Sequence, residues 1–453
     1  MQLRVKWRVC SSGLELVNIR RLFIKQLHAA QTLSACLPCL WLGLSYLLQL
    51  LLSHSQTSSL LEMSSPTPFQ IIIVGGGIAG LAAAIALRKD NRKITILEQS
   101  RLSTEIGATI SLQPNATRII QQSWELKNLL EDSNGTVDHG FRIYNTEGKM
   151  VNEVPLRSKT QYGADRIMWH RQDLHAYLRK IATCTEAAGD PAILRTSARV
   201  SHCDCDAGQV TLEDGEVLQA DLIVGADGIH SVMRTFVLGK EVKPKPTGSS
   251  AYRIMLPTSV LQKAAPEFAG NIKPEQPYTS MVVAHSCRLI MGPARDGQLY
   301  SIVGLVPDEQ MNEDPDSAQS WVTKGDPAKM LETFKDFPGW AKDALENADS
   351  IGLWQLRDLD PLDTWHSGRA ILIGDAAHAM LPTQGQGASQ TIEDAEALGT
   401  LFSDINESPS KSKVSSILED VFKSRYERVS LIQQFSREAA KPATEKGSNV
   451  VKM

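Results

Sequence analysis

Three glycines at fixed spacing follow a short β-branched run and point to phosphate chemistry. Gly75, Gly77 and Gly80 stand in the stretch FQIIIVGGGIAGLAAAIALRKDNRKITILEQS, between a predicted strand and a predicted helix of small residues. The first glycine allows a tight turn, the second lets backbone approach a pyrophosphate, and the third lets helix and strand pack closely. Glu98 ends the next predicted strand and is placed to accept ribose hydroxyls. This βαβ unit is predicted to bind FAD or NAD rather than NADP.

Two later segments also place an acid and glycines after a buried strand. The first, GEVLQADLIVGADGIHSVMR, carries Asp227, and the second, GRAILIGDAAHAMLPTQGQGASQTIEDAEALGTLF, carries Asp375. Asp375 is placed to accept a ribityl hydroxyl, and Gly385 and Gly387 lie at the start of a predicted helix. Its free amides can stabilise negative charge on a reduced flavin ring. Because the chain has one dinucleotide fingerprint, these extra segments favour FAD over NAD as the resident nucleotide.

The three segments, in this order, resemble the single-component FAD-dependent monooxygenases of the para-hydroxybenzoate and salicylate hydroxylase type, especially the fungal branch of secondary metabolism. The resemblance covers residues 69–437 and includes the stretches EIGATISLQPNATRII, WHRQDLHAYL and TGSSAYRIMLP. It implies an α/β fold with a discontinuous, Rossmann-like FAD-binding domain of the glutathione-reductase type. A mixed β-sheet substrate domain and a C-terminal helical tail complete the expected architecture.

The resemblance also implies roles for individual residues. Arg253 is the candidate catalytic cation that holds a phenolate, and Tyr252 is the second candidate catalytic residue, although a regular strand would point it to the opposite face. His378 is expected to pack or hydrogen-bond locally. The family often has a Tyr-Pro pair later in the sheet, where this chain has Gly292 and Pro293, which suggests a different or larger pocket. The expected cofactor-binding residues are Gly75, Gly77, Gly80, Glu98, Gly107, Ala108, Arg171, Asp227, Asp375, Pro382, Gly385, Gly387 and Ala388.

The activity implied is insertion of one oxygen atom from O2 into an aromatic, phenolic or related secondary metabolite. NAD(P)H is the expected transient co-substrate, and a flavin C4a-hydroperoxide is the expected oxygen donor. Hydroxylation and epoxidation both fit this chemistry. The alternatives are a flavin-dependent reductase or dehydrogenase on the same fold, and a non-catalytic protein like the prenyl carriers.

Composition limits the partners. The net charge of -4, with both signs mixed along the chain, gives no basic face for nucleic acid. The expected partner is therefore a small aromatic, polyketide or alkaloid molecule, together with O2. Cys36 and Cys39 form a CxxC pair with no second pair at zinc spacing, so no metal site is expected.

The N-terminal extension, residues 1–62, differs from the rest of the chain. Residues 32–53 carry no charge and are long enough to span a bilayer, which makes them a candidate membrane helix. The alternatives are a cleaved targeting peptide, or a start upstream of the natural one near Met63. The expected localisation is cytoplasmic, or membrane-associated if the anchor is real. Expected domains are residues 69–245 with 350–400 for FAD, 246–349 for substrate, and 401–453 for the helical tail.

Overall fold

The structure is a computed structural model, which describes residues 67–102, 108–310 and 323–441. Gly107 and the candidate membrane segment lie outside the described residues. In chain order the strands are β1 (Phe69–Val74), β2 (Arg92–Leu97), β3 (Thr109–Leu112), β4 (Thr136–Val137), β5 (Gly140–Tyr144), β6 (Met150–Pro155), β7 (Ile167–His170), β8 (Ile193–Arg195), β9 (Val200–Asp204), β10 (Gln209–Leu212), β11 (Val217–Gln219), β12 (Leu222–Gly225), β13 (Lys245–Pro257), β14 (Tyr278–Val283), β15 (Arg288–Ala294), β16 (Leu299–Pro307), β17 (Thr323–Lys324), β18 (Ile351–Asp358), β19 (His366–Ser367) and β20 (Ala370–Leu372).

The helices fill the connections between these strands and form the C-terminal end of the described chain. They are α1 (Ile78–Leu87), α2 (Pro114–Arg118), α3 (Leu129–Ser133), α4 (Lys159–Tyr162), α5 (Arg171–Thr183), α6 (Met233–Leu238), α7 (Thr258–Ala264), α8 (Pro266–Ile272), α9 (Pro327–Thr333), α10 (Gly339–Glu346), α11 (Asp375–His378), α12 (Gly387–Leu401) and α13 (Lys411–Ala440). Among the described residues, no helix is both long enough and apolar enough to cross a membrane.

A six-stranded sheet carries the predicted nucleotide-binding segments. Its order is β19-β20-β12-β1-β2-β8, and all pairs are parallel except β19 with β20. The run from Ile71 to Val74 is buried throughout, as expected for a parallel strand covered on both faces. Helix α12 packs along α1, and a Cβ on Gly399 would lie 2.6 Å from the carbonyl oxygen of Ala86. The carboxyl ends of β1, β12 and β20 therefore share one edge, where ligands bind in such sheets.

An eight-stranded mixed sheet forms the second layer. Its order is β17-β18-β13-β16-β15-β14-β5-β6, antiparallel except for β14 with β5. One face packs in a second core with residues of α7 to α10. The other face carries Arg253 and leaves several side chains half-buried. The α/β fold with a mixed second sheet and a C-terminal helix is confirmed.

The sheet membership differs from the predicted domain boundaries. Residues 140–155 and 351–358, expected in the FAD-binding domain, belong to the eight-stranded sheet. Strand β18 pairs with β13 over much of its length, and β5 pairs with β14. These pairings join segments far apart in sequence, so composition alone did not indicate them. Two three-stranded sheets, β3-β7-β4 and β11-β10-β9, complete the described fold.

Candidate active site

The turn between β1 and α1 is built from closely packed backbone. Gly75 has a φ of 110°, and a Cβ there would lie 2.3 Å from the carbonyl oxygen of Ala226. A Cβ on Gly80 would lie 1.9 Å from the carbonyl oxygen of Gly75, so α1 rests on the turn without room for a side chain. Gly77 is the N-cap of α1 and faces open space. That space lies at the free amides of α1, where an anion is favoured.

Glu98 lies at the end of β2, beside this turn. Its Oε2 accepts a hydrogen bond of 2.8 Å from the backbone N–H of Gly76, and its Oε1 accepts one of 2.7 Å from Ser100. The Nε2 of His175, on α5, lies 2.8 Å from the carbonyl oxygen of Gly76. His175 was not predicted, and the signal available was its place on the buried face of the helix that begins at Arg171. Both side chains hold the turn in place.

Asp227 organises the turn after β12. Its Oδ2 accepts hydrogen bonds from the backbone N–H groups of Val232 at 2.8 Å and Met233 at 3.0 Å, at the start of α6. Burial raises the pKa of Asp227, and the hydrogen bonds from Ser231 and the backbone partly offset this rise. Asp227 therefore has a structural role in the turn, while its contact with a cofactor stays a prediction.

Arg234 links the second predicted segment to the third. Its Nη1 donates a hydrogen bond of 3.0 Å to the carbonyl oxygen of Ala376, its Nη2 one of 2.7 Å to Ile229, and its Nε one of 2.9 Å to Val242. The side chain is fully buried. Arg234 therefore holds the two acid-bearing turns together, a role that no sequence motif indicated.

Asp375 lies at the edge of the six-stranded sheet, after Gly374. Gly374 has a φ of 58°, and a Cβ there would lie 2.9 Å from the Oγ1 of Thr391, so both conformation and space require glycine. The Asp375 side chain is exposed to solvent. Desolvation by the surrounding protein nevertheless raises its pKa, against the opposing effects of His378 and Arg171. The carboxylate is thus open to solvent at the edge of the sheet, where a ribityl hydroxyl acceptor is expected.

A buried hub that the sequence analysis missed lies behind this acid. Asp394, on α12, accepts hydrogen bonds from the backbone N–H of Gly374 at 3.0 Å and from the Nε of Arg425 at 3.0 Å, and its Oδ2 lies 2.6 Å from the Nε2 of His378. Burial raises the pKa of Asp394, but His378 and Arg425 outweigh it and lower the pKa to about 2. The His378 ring also packs against Trp365 in a tilted arrangement, with ring centroids 5.1 Å apart. The local role expected for His378 is confirmed.

The loop from Pro382 to Gly387 leads into α12. Pro382 begins a single 3-10 turn, Gly385 follows with a φ of 59°, and α12 begins at Gly387. A Cβ on Gly385 would lie 3.1 Å from the side-chain amide of Gln113, and Ala388 packs against the core around the six-stranded sheet. The first turn of such a helix presents free amides and a positive partial charge. The geometry suits the predicted ring cradle, and contact with a flavin stays a prediction.

Arg171 is close to both the nucleotide edge and the eight-stranded sheet. It begins α5, and its backbone N–H donates a hydrogen bond of 2.8 Å to the carbonyl oxygen of Ala108, so two predicted cofactor residues are brought together. Its positive charge acts on Asp375 and on Arg253 alike, opposing the raised pKa of the first and adding to the lowered pKa of the second. Arg171 therefore lies near both an acid of the nucleotide edge and the cation of the second sheet.

Arg253 lies on the half-buried face of the eight-stranded sheet. Burial, and secondarily the charge of Arg171, lower its pKa from the usual arginine value. Its guanidinium carbon lies 4.6 Å from the ring centroid of Trp354, a cation–π contact. Arg253 pairs with Val303 on β16. The cation therefore lies on a largely apolar wall, next to an aromatic ring.

Tyr252 points to the other face of β13. Its side chain is fully buried, and its ring meets that of Phe334 edge-on with centroids 6.1 Å apart. The alternation of a regular strand separates Tyr252 from Arg253. This placement gives Tyr252 a packing role in the second core and does not support its prediction as a catalytic residue.

The donors and spaces at this edge fit FAD. The turn at Gly75 leaves room at Gly77 for a diphosphate, and Glu98 lies where a ribose is bound in such folds. Asp375 offers a solvent-exposed carboxylate at the edge of the same sheet. Among the described residues, no cluster of acids, histidines and cysteines could hold a metal ion.

Comparisons with known proteins agree with this geometry. Residues 68–413 match a family described as FAD binding domain. Hispidin-3-hydroxylase of Neonothopanus nambi is 35% identical over 345 residues, which cover 73% of this chain and 80% of that protein. The 6-hydroxynicotinate 3-monooxygenase of Bordetella bronchiseptica is 30% identical over 340 residues, covering 74% of this chain and 82% of that protein.

A solved structure gives the same answer. A substrate complex of salicylate hydroxylase has a TM-score of 0.69 at 28% identity, and the match covers 85% of this chain and 93% of that chain. These relatives favour oxygen insertion over a reductase or a carrier, and the family match confirms the prediction of FAD as cofactor. The chain belongs to the FAD-dependent monooxygenases of the para-hydroxybenzoate and salicylate hydroxylase type.

Proposed function

We propose that this monooxygenase adds one oxygen atom to a hydroxylated aromatic substrate held on the Arg253 face of the eight-stranded sheet. The single observation that carries the proposal is a cation set in an apolar wall beside the nucleotide edge. Arg253 is flanked by Trp354 and lies near Arg171. A phenolic oxygen that loses its proton is a better electron donor to the ring, and a neighbouring cation favours the anionic form.

One row of side chains across four strands forms this wall. Strand register places Arg253 opposite Val303, Val303 opposite Ile290, and Ile290 opposite Met281. All four are half-buried, whereas their neighbours on the opposite face are buried in the second core. Apolar surface that the fold leaves partly uncovered beside a charged group is what an aromatic ring with one polar substituent requires.

Gly292 lies on the same face of the sheet, where neighbouring side chains cover it. It lies two residues from Ile290 on β15, and it is buried. A Cβ there would meet the Sδ of Met168 at 3.6 Å and the Oγ1 of Thr279 at 3.8 Å, which are ordinary contact distances. A side chain larger than alanine would have to displace one of these two side chains, so the packing between β15 and β7 favours a small residue at this position.

The chain's own residues supply binding and orientation. Bound FAD, once reduced, supplies the activation of O2 and the transfer of one of its oxygen atoms. We assign Glu98 to the adenosine ribose, Asp375 to the ribityl chain, and the amides at Gly385 and Gly387 to the flavin ring. Arg253 holds the substrate oxygen, and the apolar wall excludes water from the reacting centre.

The relatives supply probe substrates. Their names identify hispidin, 6-hydroxynicotinate and salicylate as the compounds on which they act. Each is a hydroxylated ring, so the three compounds form a first panel of candidate substrates. We expect full-length protein to oxidise NADH or NADPH faster in the presence of the preferred compound, and to release a product with one added oxygen.

The assignment of Arg253 is tested by Arg253→Met, with Arg253→Lys as the variant that keeps the charge. Loss of a charged hydrogen bond of about 1.5 to 3 kcal/mol should raise the KM for a phenol by about 10- to 100-fold. FAD content should equal that of the unmodified enzyme, and Arg253→Lys should recover part of the affinity. An unchanged kcat/KM for the preferred phenol in Arg253→Met would remove Arg253 from the substrate site.

A further inference from the structure

Arg166, just before β7, joins the eight-stranded sheet to the three-stranded sheet β3-β7-β4. Its side chain is 14% exposed. Nη1 donates to the Oδ2 of Asp138 and, at 3.1 Å, to the Oγ1 of Thr279, and Nη2 donates at 3.1 Å to the Oγ of Ser111. Thr279 belongs to β14 of the eight-stranded sheet, and Ser111 belongs to β3 of a three-stranded sheet. One guanidinium therefore bridges the two.

Asp138 holds the guanidinium from the side of the eight-stranded sheet. It is fully buried, and it accepts hydrogen bonds from the Oγ1 of Thr279 at 2.6 Å and from the backbone N–H groups of Thr279 and Gly140 at 3.2 and 3.3 Å. Burial lowers the pKa of Arg166 to about 10, still well above neutral pH. Arg166 therefore keeps its positive charge at neutral pH beside the Asp138 carboxyl group, to which the starts of β5 and β14 are hydrogen-bonded.

Ser111 carries the connection to the loop before α12. A Cβ on Gly385 would lie 3.5 Å from the Oγ of Ser111. Two residues further along the chain, the backbone N–H of Gln113 donates a hydrogen bond of 2.9 Å to the Oγ of Ser389, and its side-chain amide donates one of 3.4 Å to the carbonyl oxygen of Gly385. The segment of Ser111 and Gln113 therefore supports the loop to which we assigned the flavin ring.

Thr279 carries the connection to the substrate face. Its Oγ1 would lie 3.8 Å from a Cβ on Gly292, which is on the same face of the sheet as Arg253. Its hydroxyl also lies 3.3 Å from the Sδ of Met168, on β7. The far end of the Arg166 bridge is thus at the edge of the apolar wall.

We propose that Arg166 is a positioning residue that sets the distance between the flavin-ring loop at residues 385–389 and the substrate face at Thr279. The proposal rests on the function proposed above, because it concerns the distance between the flavin ring and the aromatic substrate. Positioning within a fraction of an ångström decides whether an oxygen atom reaches its target. When the bridge is weakened, NAD(P)H oxidation continues, but a larger share of O2 leaves as hydrogen peroxide.

Ser111→Ala tests the bridge while leaving the buried ion pair intact. In the enzyme without FAD, amide hydrogen exchange in residues 385–389 should accelerate about fivefold, as expected for loss of one hydrogen bond that restrains a loop. In the FAD-loaded enzyme, the hydrogen peroxide formed per NAD(P)H should rise, with the KM for substrate little changed. Arg166→Lys should have the same two effects, because one ammonium group does not reproduce the forked guanidinium.

Ser133→Ala is the matched control. It also removes a buried hydroxyl near the sheet β3-β7-β4. That hydroxyl accepts a hydrogen bond of 2.8 Å from the indole N–H of Trp169, on β7. It should lower the melting temperature without changing exchange at 385–389 or the peroxide yield. Wild-type exchange and peroxide yield in both Ser111→Ala and Arg166→Lys would overturn the proposal. If the unmodified enzyme oxygenates no phenol, the proposed function fails, whereas the exchange measurement still tests the bridge.

Discussion

The nucleotide edge, at the carboxyl ends of β1, β12 and β20, is formed mainly by backbone atoms. The substrate face, which carries Arg253, is formed by side chains. At the nucleotide edge, glycines such as Gly75 and Gly80 let neighbouring backbone carbonyls come closer than a Cβ would allow. On the substrate face, the strand register alone brings Arg253, Val303 and Ile290 into one row. The first region tolerates few substitutions of any kind, whereas the second can change specificity by exchanging side chains on a fixed sheet.

The largest loss of stability is expected at the hub behind the nucleotide edge. Asp394→Asn leaves Arg425 in a buried site with one anionic partner fewer, which should cost about 3 to 5 kcal/mol of unfolding free energy at neutral pH. A pH series sharpens the test. The folded pKa of Asp394 is about 2, below the ordinary 3.8, so its charge stabilises the fold above pH 3.8 and this contribution fades as the pH falls toward 2.

Chemical denaturation at several pH values measures this difference. The gap in unfolding free energy between wild type and Asp394→Asn should narrow by about 2 kcal/mol between neutral pH and pH 2, from the shift in pKa. A gap that stays constant with pH would show that the charge of Asp394 contributes nothing to folding.

The next largest effect separates two glycines of one turn. Gly80→Ala places a Cβ 1.9 Å from a backbone oxygen and should destabilise the protein by about 1 to 3 kcal/mol, with loss of FAD binding. Gly77→Ala places its Cβ in open space, so the fold should remain stable while FAD affinity decreases. Thermal unfolding without FAD, followed by FAD titration, distinguishes the two. Equal stability of both variants would contradict the close packing described here.

Asp375→Asn should have a smaller and more selective effect. Desolvation raises the pKa of Asp375, so its charge costs free energy in the fold, and the neutral variant should be at least as stable without FAD. FAD should bind about tenfold more weakly, the equivalent of one hydrogen bond to a charged group. Fluorescence titration of FAD measures this. Unweakened binding would show that Asp375 does not hold the cofactor.

The smallest effect is expected on the buried face of β13. Tyr252→Phe removes a hydroxyl from the second core and should cost about 1 kcal/mol of stability or less. Its kcat and product yield should match those of wild type within about twofold, in contrast to Arg253→Met. A selective loss of oxygen insertion in Tyr252→Phe would restore Tyr252 as a catalytic candidate.

The sequence was informative where function depends on local backbone. The glycines at 75 to 80, the acid at 98 and the three strand-end segments occur in short motifs, and their places in the fold followed from those motifs. Asp394 and Arg425 were missed because they meet across two helices. The motifs also gave no sign that the C-terminal helix contributes to this region, where Arg425 of α13 is buried against Glu393 and Asp394 of α12.

The substrate sheet was predictable only in outline. The alternation that separates Tyr252 from Arg253 follows from strand geometry, but which face lies against the helices depends on α7 to α10. The bridge from Asp138 through Arg166 to Ser111 joins residues 28 and 55 positions apart, and no spacing rule brings them together.

The central claim is that the two regions form one oxygen-inserting site. Its most direct test is turnover of the FAD-loaded, full-length enzyme with NAD(P)H and a panel of phenols under heavy-isotope O2. We expect a product that carries one labelled oxygen atom, formed by wild type and Tyr252→Phe and strongly diminished in Arg253→Met. Substrate-dependent NAD(P)H oxidation whose product gains hydrogen and no labelled oxygen would contradict it and identify a reductase.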